Sequence, residues 1–453
     1  MSEHNEERLI HGQWSSRWAF ILAASGSAIG LGNIWKFPYL VGENGGGAFV
    51  LVYLLCVIAI GVPIMMAETL LGRKGRLSPV NTMLNLAREA GGGRLWAYVG
   101  GLGVLAGFLI LSYYSVIAGW AMAYIFKMGS GSMNLVDAEK AKTIFTDLYS
   151  SSELQFIWHS LFMIATMVIV SRGIHKGLET ATRYLMPALL LMMLALDVYA
   201  LGSEGAGQGL AFLLKPDFSR LSGDSLMIAL GQAFFSLGLG MGAIMMYGSY
   251  LPAGVSITRS SLIVAGADTL IALLAGVAIF PIVFSHALSP AMGPGLIFET
   301  LPIAFGKMPG GHLFGMLFFM LVFFAAITSA IALIEPTVAW LHENRGMNRE
   351  TASFWSGLAC WCVGLGTIHS FSDSAHWSYA GKNWFEWLDF LTADLMLPVC
   401  GILIAVFAGW ILKPSVTEQE LQLGHRYHLW RTAIRYIAPL AVGLILLRGL
   451  GGM

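Results

Sequence analysis

The chain contains a regular succession of apolar segments, each about as long as the roughly 20 residues that an α-helix needs to cross a bilayer. Charged residues make up only 11% of its 453 residues, whereas soluble globular domains carry about 25%. Such a chain has too little polar surface to cover a water-exposed globule, so we expect lipid to solvate it. The pattern predicts an all-α polytopic membrane protein with about 11 transmembrane helices. The predicted segments lie at 17–40, 46–71, 95–127, 155–171, 178–201, 226–251, 258–286, 312–341, 350–370, 385–411 and 428–449.

The Lys and Arg residues indicate the orientation, because they concentrate in cytoplasmic connections. With the N-terminus inside, most of the 26 basic residues fall in inner connections or at inner helix ends. We therefore expect a multi-pass protein of the cell inner (plasma) membrane with a cytoplasmic N-terminus and an external C-terminus. Residues 1–11 are polar and lack the apolar core of a cleaved signal peptide. The longest polar connection, 128–154, is expected to form a short surface helix.

The composition and motifs disfavour several classes of protein. The 26 basic and 26 acidic residues balance and no basic tract occurs, so no nucleic-acid partner is expected. The pair Cys360 and Cys362 lacks further ligands at zinc spacing. Neither HExxH nor GxSxG occurs, so no enzyme is expected. A channel is disfavoured because the sequence has no ring of repeated charges.

Two segments combine glycines with polar residues at mid-membrane depth. The first reads GSAIGLGN from Gly26 to Asn33, and the sixth reads GQAFFSLGLGMG from Gly231 to Gly242. Each glycine costs about 1 kcal/mol of helix propensity relative to alanine, which biases both segments towards unwinding. Backbone groups freed in a bilayer need other partners. Close packing of helices through small residues is one interpretation. Interrupted helices at matching positions in two halves of a chain indicate instead a transporter binding site.

Four stretches carry a family resemblance: GSAIGLGNIWKFPY at 26–39, ENGGGAF at 43–49, GQAFFS at 231–236 and FFAAITS at 323–329. They resemble the neurotransmitter:sodium symporters, and the similarity extends from about Trp14 to Trp410. The resemblance implies the leucine-transporter fold, a 5+5 inverted repeat in which helices 1 and 6 are broken. Residues 12–453 would form a single transmembrane transporter domain, with repeats at about 14–201 and 226–411 and an extra helix at about 428–449.

The resemblance also implies two sodium sites and a substrate site. The first sodium site would use Ala28, Asn33, Ser236 and Asp268, together with the substrate carboxylate. The second would use Gly26, Ile29, Ala325, Thr328 and Ser329. The substrate would contact Ala28, Leu31, Gly32, Ile110, Tyr114, Phe235, Ser236, Gly238, Met241, Ser329 and Leu333. From the residues alone, the Thr328 and Ser329 hydroxyls could equally bond back to their own helical turn.

The resemblance further assigns gating residues. Lys36 and Asp389 would close the outer side, and Phe235 with Tyr114 would form a lid over the substrate. Trp14, Tyr250 and Glu343 would close the inner side, with Arg8 or His11 as the cation there. Glu68 is expected to bond to freed backbone beside the first break. The remaining acids of the helical segments are expected to be solvated helix ends: Asp197, Glu335, Glu386 and Asp394.

These features predict a sodium-coupled secondary active symporter that imports neutral hydrophobic L-amino acids, aliphatic or aromatic, by alternating access. Monoamine carriers of the family have a carboxylate at the position of Gly30, so the substrate here should supply its own. We expect no chloride requirement, because Asp268 stands one helical turn before Ala272, where some bacterial members place an acid. A taurine or β-amino-acid transporter and a non-transporting sensor are the alternatives. No obligatory protein partner is expected besides membrane lipid.

Overall fold

The computed structural model describes residues 12–290, 295–372 and 378–451. Within these ranges the chain is helical, apart from turns and two isolated β-bridges. In chain order the principal helices are α1 Arg17–Ala28, α2 Gly32–Glu43, α3 Gly47–Gly75, α4 Arg94–Gly129, α5 Ser152–Ser171, α6 Ile174–Leu201, α7 Gly223–Ser236, α8 Ala243–Ser249, α9 Ile257–Ser285, α10 Gly311–Arg345, α11 Arg349–Phe371, α12 Trp384–Ile411 and α13 Gly424–Gly451.

The helices correspond closely to the predicted segments. Nine helices in the described ranges are long and apolar enough to cross a membrane, and α1 with α2 makes a tenth span, bent by 52°. Helices α7 and α8 together cover the sixth predicted segment, but residues 237–242 separate them and each is too short to span alone. The count of 11 therefore stays a prediction. The surface helix is confirmed at Ala138–Ser150, where Asp137 caps its N-terminus.

Both predicted breaks are present, and local backbone geometry explains them. Helix α1 ends at Ala28 because Ile29 adopts an extended conformation, with φ −71° and ψ 104°. In the sixth segment Gly238, Gly240 and Gly242 have φ values of 65°, 78° and 75°. This left-handed region is strained for residues with a Cβ atom and accessible to glycine. In the sixth segment the glycine pattern therefore determines where the helix stops.

Packing places the two breaks next to each other in the centre of the bundle. The long helices α4 and α10 pack against one another. Helix α1 packs against α9 and α10, and α2 packs against α7 and α9. Large apolar side chains such as Tyr98, Leu191, Val198 and Leu440 are 68–75% exposed on the outer faces, as expected where lipid is the solvent.

Two of the four acids that we expected at solvated helix ends are instead buried. Glu335 is fully buried and Asp197 is 5% exposed. The prediction was wrong for these two because it considered distance along the chain and not which face of the helix each acid occupies. Glu386 is exposed and forms a capping box with Asn383, as expected. Asp394 is partly buried and lines a cavity on the outer side.

Candidate functional site

A cavity lies where the two helix breaks meet α4 and α10. Its walls are Ser27, Ala28, Gly30, Leu31, Gly32, Ile110, Tyr114, Phe235, Ser236, Gly238, Met241, Ser329 and Leu333. All the residues expected to contact substrate line this one cavity. Sequence reasoning did not include Ser27 and Gly30 in that set. The signal for both was their place in the GSAIGLGN motif, Ser27 at the end of α1 and Gly30 in the first break.

The wall of the cavity leaves no room for a side chain at residue 30. A Cβ atom added to Gly30 would lie 2.6 Å from the Ser329 hydroxyl oxygen and 3.0 Å from the Tyr114 hydroxyl oxygen. The Tyr114 hydroxyl also accepts a 3.3 Å hydrogen bond from the freed backbone N–H of Leu31. Glycine is thus required here because the Ser329 and Tyr114 hydroxyls come so close to the backbone. The Tyr114 phenol of α4 also holds the unwound segment in place.

One polar cluster joins the first break to α9 and the sixth segment. The Asn33 side-chain amide donates to Asp268 Oδ1 at 2.7 Å and to Ser236 Oγ at 3.1 Å. Ser236 donates to Asp268 Oδ2 at 2.8 Å, and the Tyr53 hydroxyl donates to the same oxygen at 3.4 Å. The Asp268 side chain is fully buried, and no basic side chain in the described ranges forms an ion pair with it. A buried carboxylate is strongly disfavoured without a compensating cation.

A second group of oxygens lies between α1 and α10. The Ser329 hydroxyl donates across to the carbonyl oxygens of Gly26 at 3.3 Å and Ile29 at 3.2 Å. Thr328 instead bonds back to its own helix, to the carbonyls of Phe324 and Ala325, both at 3.1 Å. Hydroxyl and carbonyl oxygens are ligands suited to a hard cation.

Among the described residues no cluster of three or more His, Cys, Asp or Glu could hold a metal ion.

Glu68 satisfies backbone freed by a break, although not by the one we expected. Its Oε1 accepts a 2.7 Å hydrogen bond from the backbone N–H of Gly240 in the sixth segment. The prediction placed Glu68 beside the first break. It was wrong because α3 packs against α8, which brings the glycine-rich turn of the sixth segment towards this fully buried acid.

A larger cavity of about 820 Å³ lies on the other side of Phe235 from the central cavity. Phe235 lines both cavities, and the Lys36 ammonium lies over its ring, 4.6 Å from the centroid. The expected ion pair between Lys36 and Asp389 is not formed in this structure. Asp389 accepts a 3.3 Å hydrogen bond from the Tyr113 hydroxyl and lines a separate, smaller cavity, so the two charges face different spaces.

On the opposite side the structure brings Trp14 and Tyr250 together, as expected. The Trp14 backbone N–H donates to the Tyr250 carbonyl at 3.0 Å, and its indole N–H donates to the Tyr247 carbonyl at 3.0 Å. The third expected partner, Glu343, accepts hydrogen bonds from Ser78 and Asn81 in the connection after α3. Arg8 and His11, the proposed cations of this side, lie outside the described residues.

Tyr250 contacts Glu335, an acid that the sequence predicted to be a solvated helix end. The Tyr250 hydroxyl donates to Glu335 Oε1 at 2.6 Å, and Arg349 at the start of α11 forms an ion pair with the same carboxylate. Glu335 stands seven residues, two helical turns, after Thr328, so both residues occupy the same face of α10. That periodicity was the available signal for burial of Glu335.

Three comparisons with known proteins agree with this architecture. Residues 11–139 and 138–451 match the sodium:neurotransmitter symporter family. The uncharacterized sodium-dependent transporter YhdH of Bacillus subtilis (strain 168) is 36% identical over 444 residues, which cover 97% of this chain and 98% of the relative. An uncharacterized sodium-dependent transporter of Haemophilus influenzae is 31% identical, covering 99% of this chain and 100% of the relative.

Among solved structures, that of MhsT in complex with L-phenylalanine is similar throughout. It aligns with a TM-score of 0.89 at 41% sequence identity, covering 97% of this chain and 100% of that chain. The all-helical fold that the apolar segments predict, with the broken first and sixth helices that the family resemblance implies, is thereby confirmed.

Proposed function

The chain belongs to the sodium:neurotransmitter symporter family, and on this premise we propose that it imports neutral hydrophobic L-amino acids with sodium, by alternating access and without chloride. Membership makes it a sodium-dependent symporter and not an enzyme. The substrate class is inferred from the central cavity. Its lining includes residues of both helix breaks and no charged side chain.

The substrate carboxylate and ammonium are assigned to backbone groups. The amides of Leu31 and Gly32 and the Tyr114 hydroxyl would bind the carboxylate, as freed helical N–H groups do in transporters. Carbonyls at Ala28, Phe235, Ser236 and Gly238 would bind the ammonium. Gly30 supplies no carboxylate and has no room for one. An amine without its own carboxylate would therefore leave the first sodium ion without one of its expected ligands.

The substrate side chain is assigned to an apolar wall. Ile110, Met241 and Leu333 line the cavity with apolar side chains, and methionine adapts its shape readily. Nothing in this wall would pair with a charged side chain. The similarity to MhsT, whose structure was solved with L-phenylalanine, supports including aromatic amino acids in the proposed range.

Two sodium sites are part of the proposal. The first comprises the Ala28 carbonyl, Asn33, Ser236, Asp268 and the substrate carboxylate. The second comprises the carbonyls of Gly26, Ile29 and Ala325 with the hydroxyls of Thr328 and Ser329. At an effective dielectric near 20, a carboxylate about 4 Å from a cation contributes about 4 kcal/mol of attraction. Asp268 would therefore compensate the sodium charge in place of a mobile chloride ion.

The proposal keeps the predicted organisation of the chain. Residues 12–453 form one transporter domain, with repeats at about 14–201 and 226–411 and an extra helix at about 428–449. The N-terminus lies in the cytoplasm of a cell whose plasma membrane holds the protein. Cysteine labelling at Gly12 and at Gly231 with an impermeant reagent on intact cells would give opposite accessibilities if this orientation is right.

The test of the function is uptake by proteoliposomes under an imposed sodium gradient. We expect concentrative uptake of labelled L-phenylalanine that collapses when the gradient is removed, with competition by leucine and tryptophan. Competition by taurine alone would establish the β-amino-acid alternative. Sodium-dependent binding without concentrative uptake would establish a sensor.

A further inference from the structure

An apolar groove lies where three elements of the inner side meet. Its walls are Val80 of the short helix Pro79–Glu89, the first turns of α4, and Thr337 with Trp340 of α10. Its volume is about 350 Å³. Of the described residues, none lines both this groove and the central cavity. The groove is therefore separate from the proposed substrate and sodium sites.

The α4 wall of the groove is a stripe on the surface that lipid covers. Its residues follow one another at intervals of three or four: Ala97, Gly101, Leu105 and Phe108. This spacing places them on one face of the helix, where Leu105 is 50% exposed. From 97 to 108 the stripe is about 16 Å long, close to one leaflet of a hydrocarbon core about 30 Å thick. The groove thus has the length and the apolar lining that suit an acyl chain.

Each of the three walls has an arginine at its inner end. Arg88 stands in the last turn of the short helix, Arg94 begins α4, and Arg345 ends α10. A Cβ atom added to Gly100 would lie 2.3 Å from the Pro79 carbonyl oxygen, and the Gly92 N–H donates to the Ala87 carbonyl at 2.7 Å. The short helix therefore runs back along α4, which brings Arg88 to the level of Arg94.

These three guanidinium groups lack partners in the protein. All three residues are exposed, and within the described ranges none of them makes a hydrogen bond or an ion pair. On the same three elements, Glu335 pairs with Arg349 and Glu343 is hydrogen-bonded in the connection after α3. The remaining acid there is Glu89, exposed beside Arg88. The inner end of the groove thus carries more positive than negative charge from these elements.

We propose that the groove binds an anionic phospholipid of the inner leaflet, with an acyl chain along α4 and the headgroup phosphate at Arg88, Arg94 and Arg345. Guanidinium groups bind phosphate oxygens bidentately, and basic pockets between spanning helices on the cytoplasmic side suit anionic headgroups. Tyr98 and Trp340 in the walls have the amphipathic rings that favour a membrane interface. The inference rests on the orientation given in the proposed function, which places this end of α4 on the cytoplasmic side.

Photolabelling in proteoliposomes tests the site. The vesicles contain phosphatidylcholine and a trace of phosphatidylglycerol with a diazirine in one acyl chain. After illumination, mass spectrometry measures the label in the peptide that contains residues 97–108. We expect labelling there, with unlabelled phosphatidylglycerol displacing the probe about fivefold more effectively than phosphatidylcholine of the same chains.

A variant that fills the groove tests where the acyl chain lies. A Cβ atom added to Gly101 meets nothing within 4 Å, so Gly101→Leu should occupy the groove without a clash and reduce labelling of 97–108 about tenfold. Gly443 of α13 also has open space and does not line the groove. Gly443→Leu is therefore the matched control and should label as the parent does.

A second variant tests the headgroup site without changing the groove. The triple change Arg88→Gln, Arg94→Gln and Arg345→Gln should leave labelling in place but abolish the preference for phosphatidylglycerol. Arg259→Gln, at an exposed arginine near the inner end of α9, should keep the preference. Because the three arginines are exposed and unpaired, this variant decides the question even if Gly101→Leu folds poorly.

Three results would overturn the assignment. They are no labelling of 97–108 in the parent, labelling that phosphatidylcholine displaces as well as phosphatidylglycerol, and a preference that survives in the triple variant. Labelling that a well-folded Gly101→Leu does not reduce would place the acyl chain elsewhere and overturn it too. Uptake of L-phenylalanine in the same vesicles tests the proposed function separately, since labelling needs no sodium gradient.

Discussion

The side-chain amide of Asn33 donates a 2.7 Å hydrogen bond to the carboxylate of Asp268, and this bond ties the first helix break to α9. Both residues are fully buried. The acid therefore lies inside the proposed first sodium site and does not merely approach it from a solvated vestibule. Its charge acts on a cation through a medium that screens it weakly.

Replacement of Asp268 by asparagine should create a chloride requirement. Wild-type uptake should be unchanged when gluconate replaces chloride, because the fixed carboxylate balances the sodium charge. Asp268→Asn should transport at least about tenfold more slowly in gluconate than in chloride, since the loss of several kcal/mol of attraction must be met by a mobile anion. The measurement is sodium-driven uptake in the two salts.

The exposed acid Asp217 offers the matched control, and Asp217→Asn should behave as wild type in both salts. A wild-type protein that stops transporting in gluconate would refute the role given to Asp268.

Replacement of Thr328 by alanine should weaken sodium binding and leave folding largely intact. The Thr328 hydroxyl bonds to its own helix, and its oxygen can still accept a cation. Loss of one neutral ligand should raise the sodium concentration for half-maximal substrate binding by about threefold to tenfold. Sodium titration of L-phenylalanine binding measures it.

Thr337→Ala, nine residues further along α10, is the control and should leave the titration unchanged. Equal sodium dependence in Thr328→Ala and wild type would mean that Thr328 only bonds back to its own turn.

Replacement of Gly30 by alanine should strongly weaken substrate binding. The added methyl group would lie 2.6 Å from the Ser329 oxygen, which also contacts the carbonyls of Gly26 and Ile29. Both the substrate site and the second sodium site should therefore be disturbed, with affinity falling at least about tenfold. Gly231→Ala has open space around the new methyl group and should bind normally. Normal binding by Gly30→Ala would show that the neighbouring Ser329 and Tyr114 side chains can move to accommodate the methyl group.

Replacement of Arg349 by glutamine should destabilise the folded protein. It leaves the fully buried Glu335 carboxylate without its cation, which costs about 3 kcal/mol or more. Adding Glu335→Gln removes the unpaired charge and should recover most of the loss. Thermal unfolding in detergent measures both, with Arg345→Gln at the exposed end of α10 as the control. A double variant as unstable as Arg349→Gln would argue against the pair.

The positions of the helix breaks and the residues around the central cavity could be predicted because local signals specify them. Gly238, Gly240 and Gly242 adopt left-handed backbone, and their spacing is visible in the chain. The apolar segments likewise depend only on the free energy of transfer from water to lipid, to which each residue contributes independently. Motif similarity then supplied the cavity lining.

Which charges meet could not be predicted in the same way. Glu68 contacts Gly240 and not the first break, Glu335 pairs with Arg349, and Lys36 lies over Phe235. Such pairs depend on how distant helices are rotated about their axes, and a single π-helical turn, as in Phe390–Met396, changes that rotation for every residue beyond it. The sequence by itself determined the spans, the breaks and the oxygen ligands available at the breaks. Tertiary structure alone decided the partners of the buried charges, because the angular positions of helix faces accumulate along the chain and are set by packing.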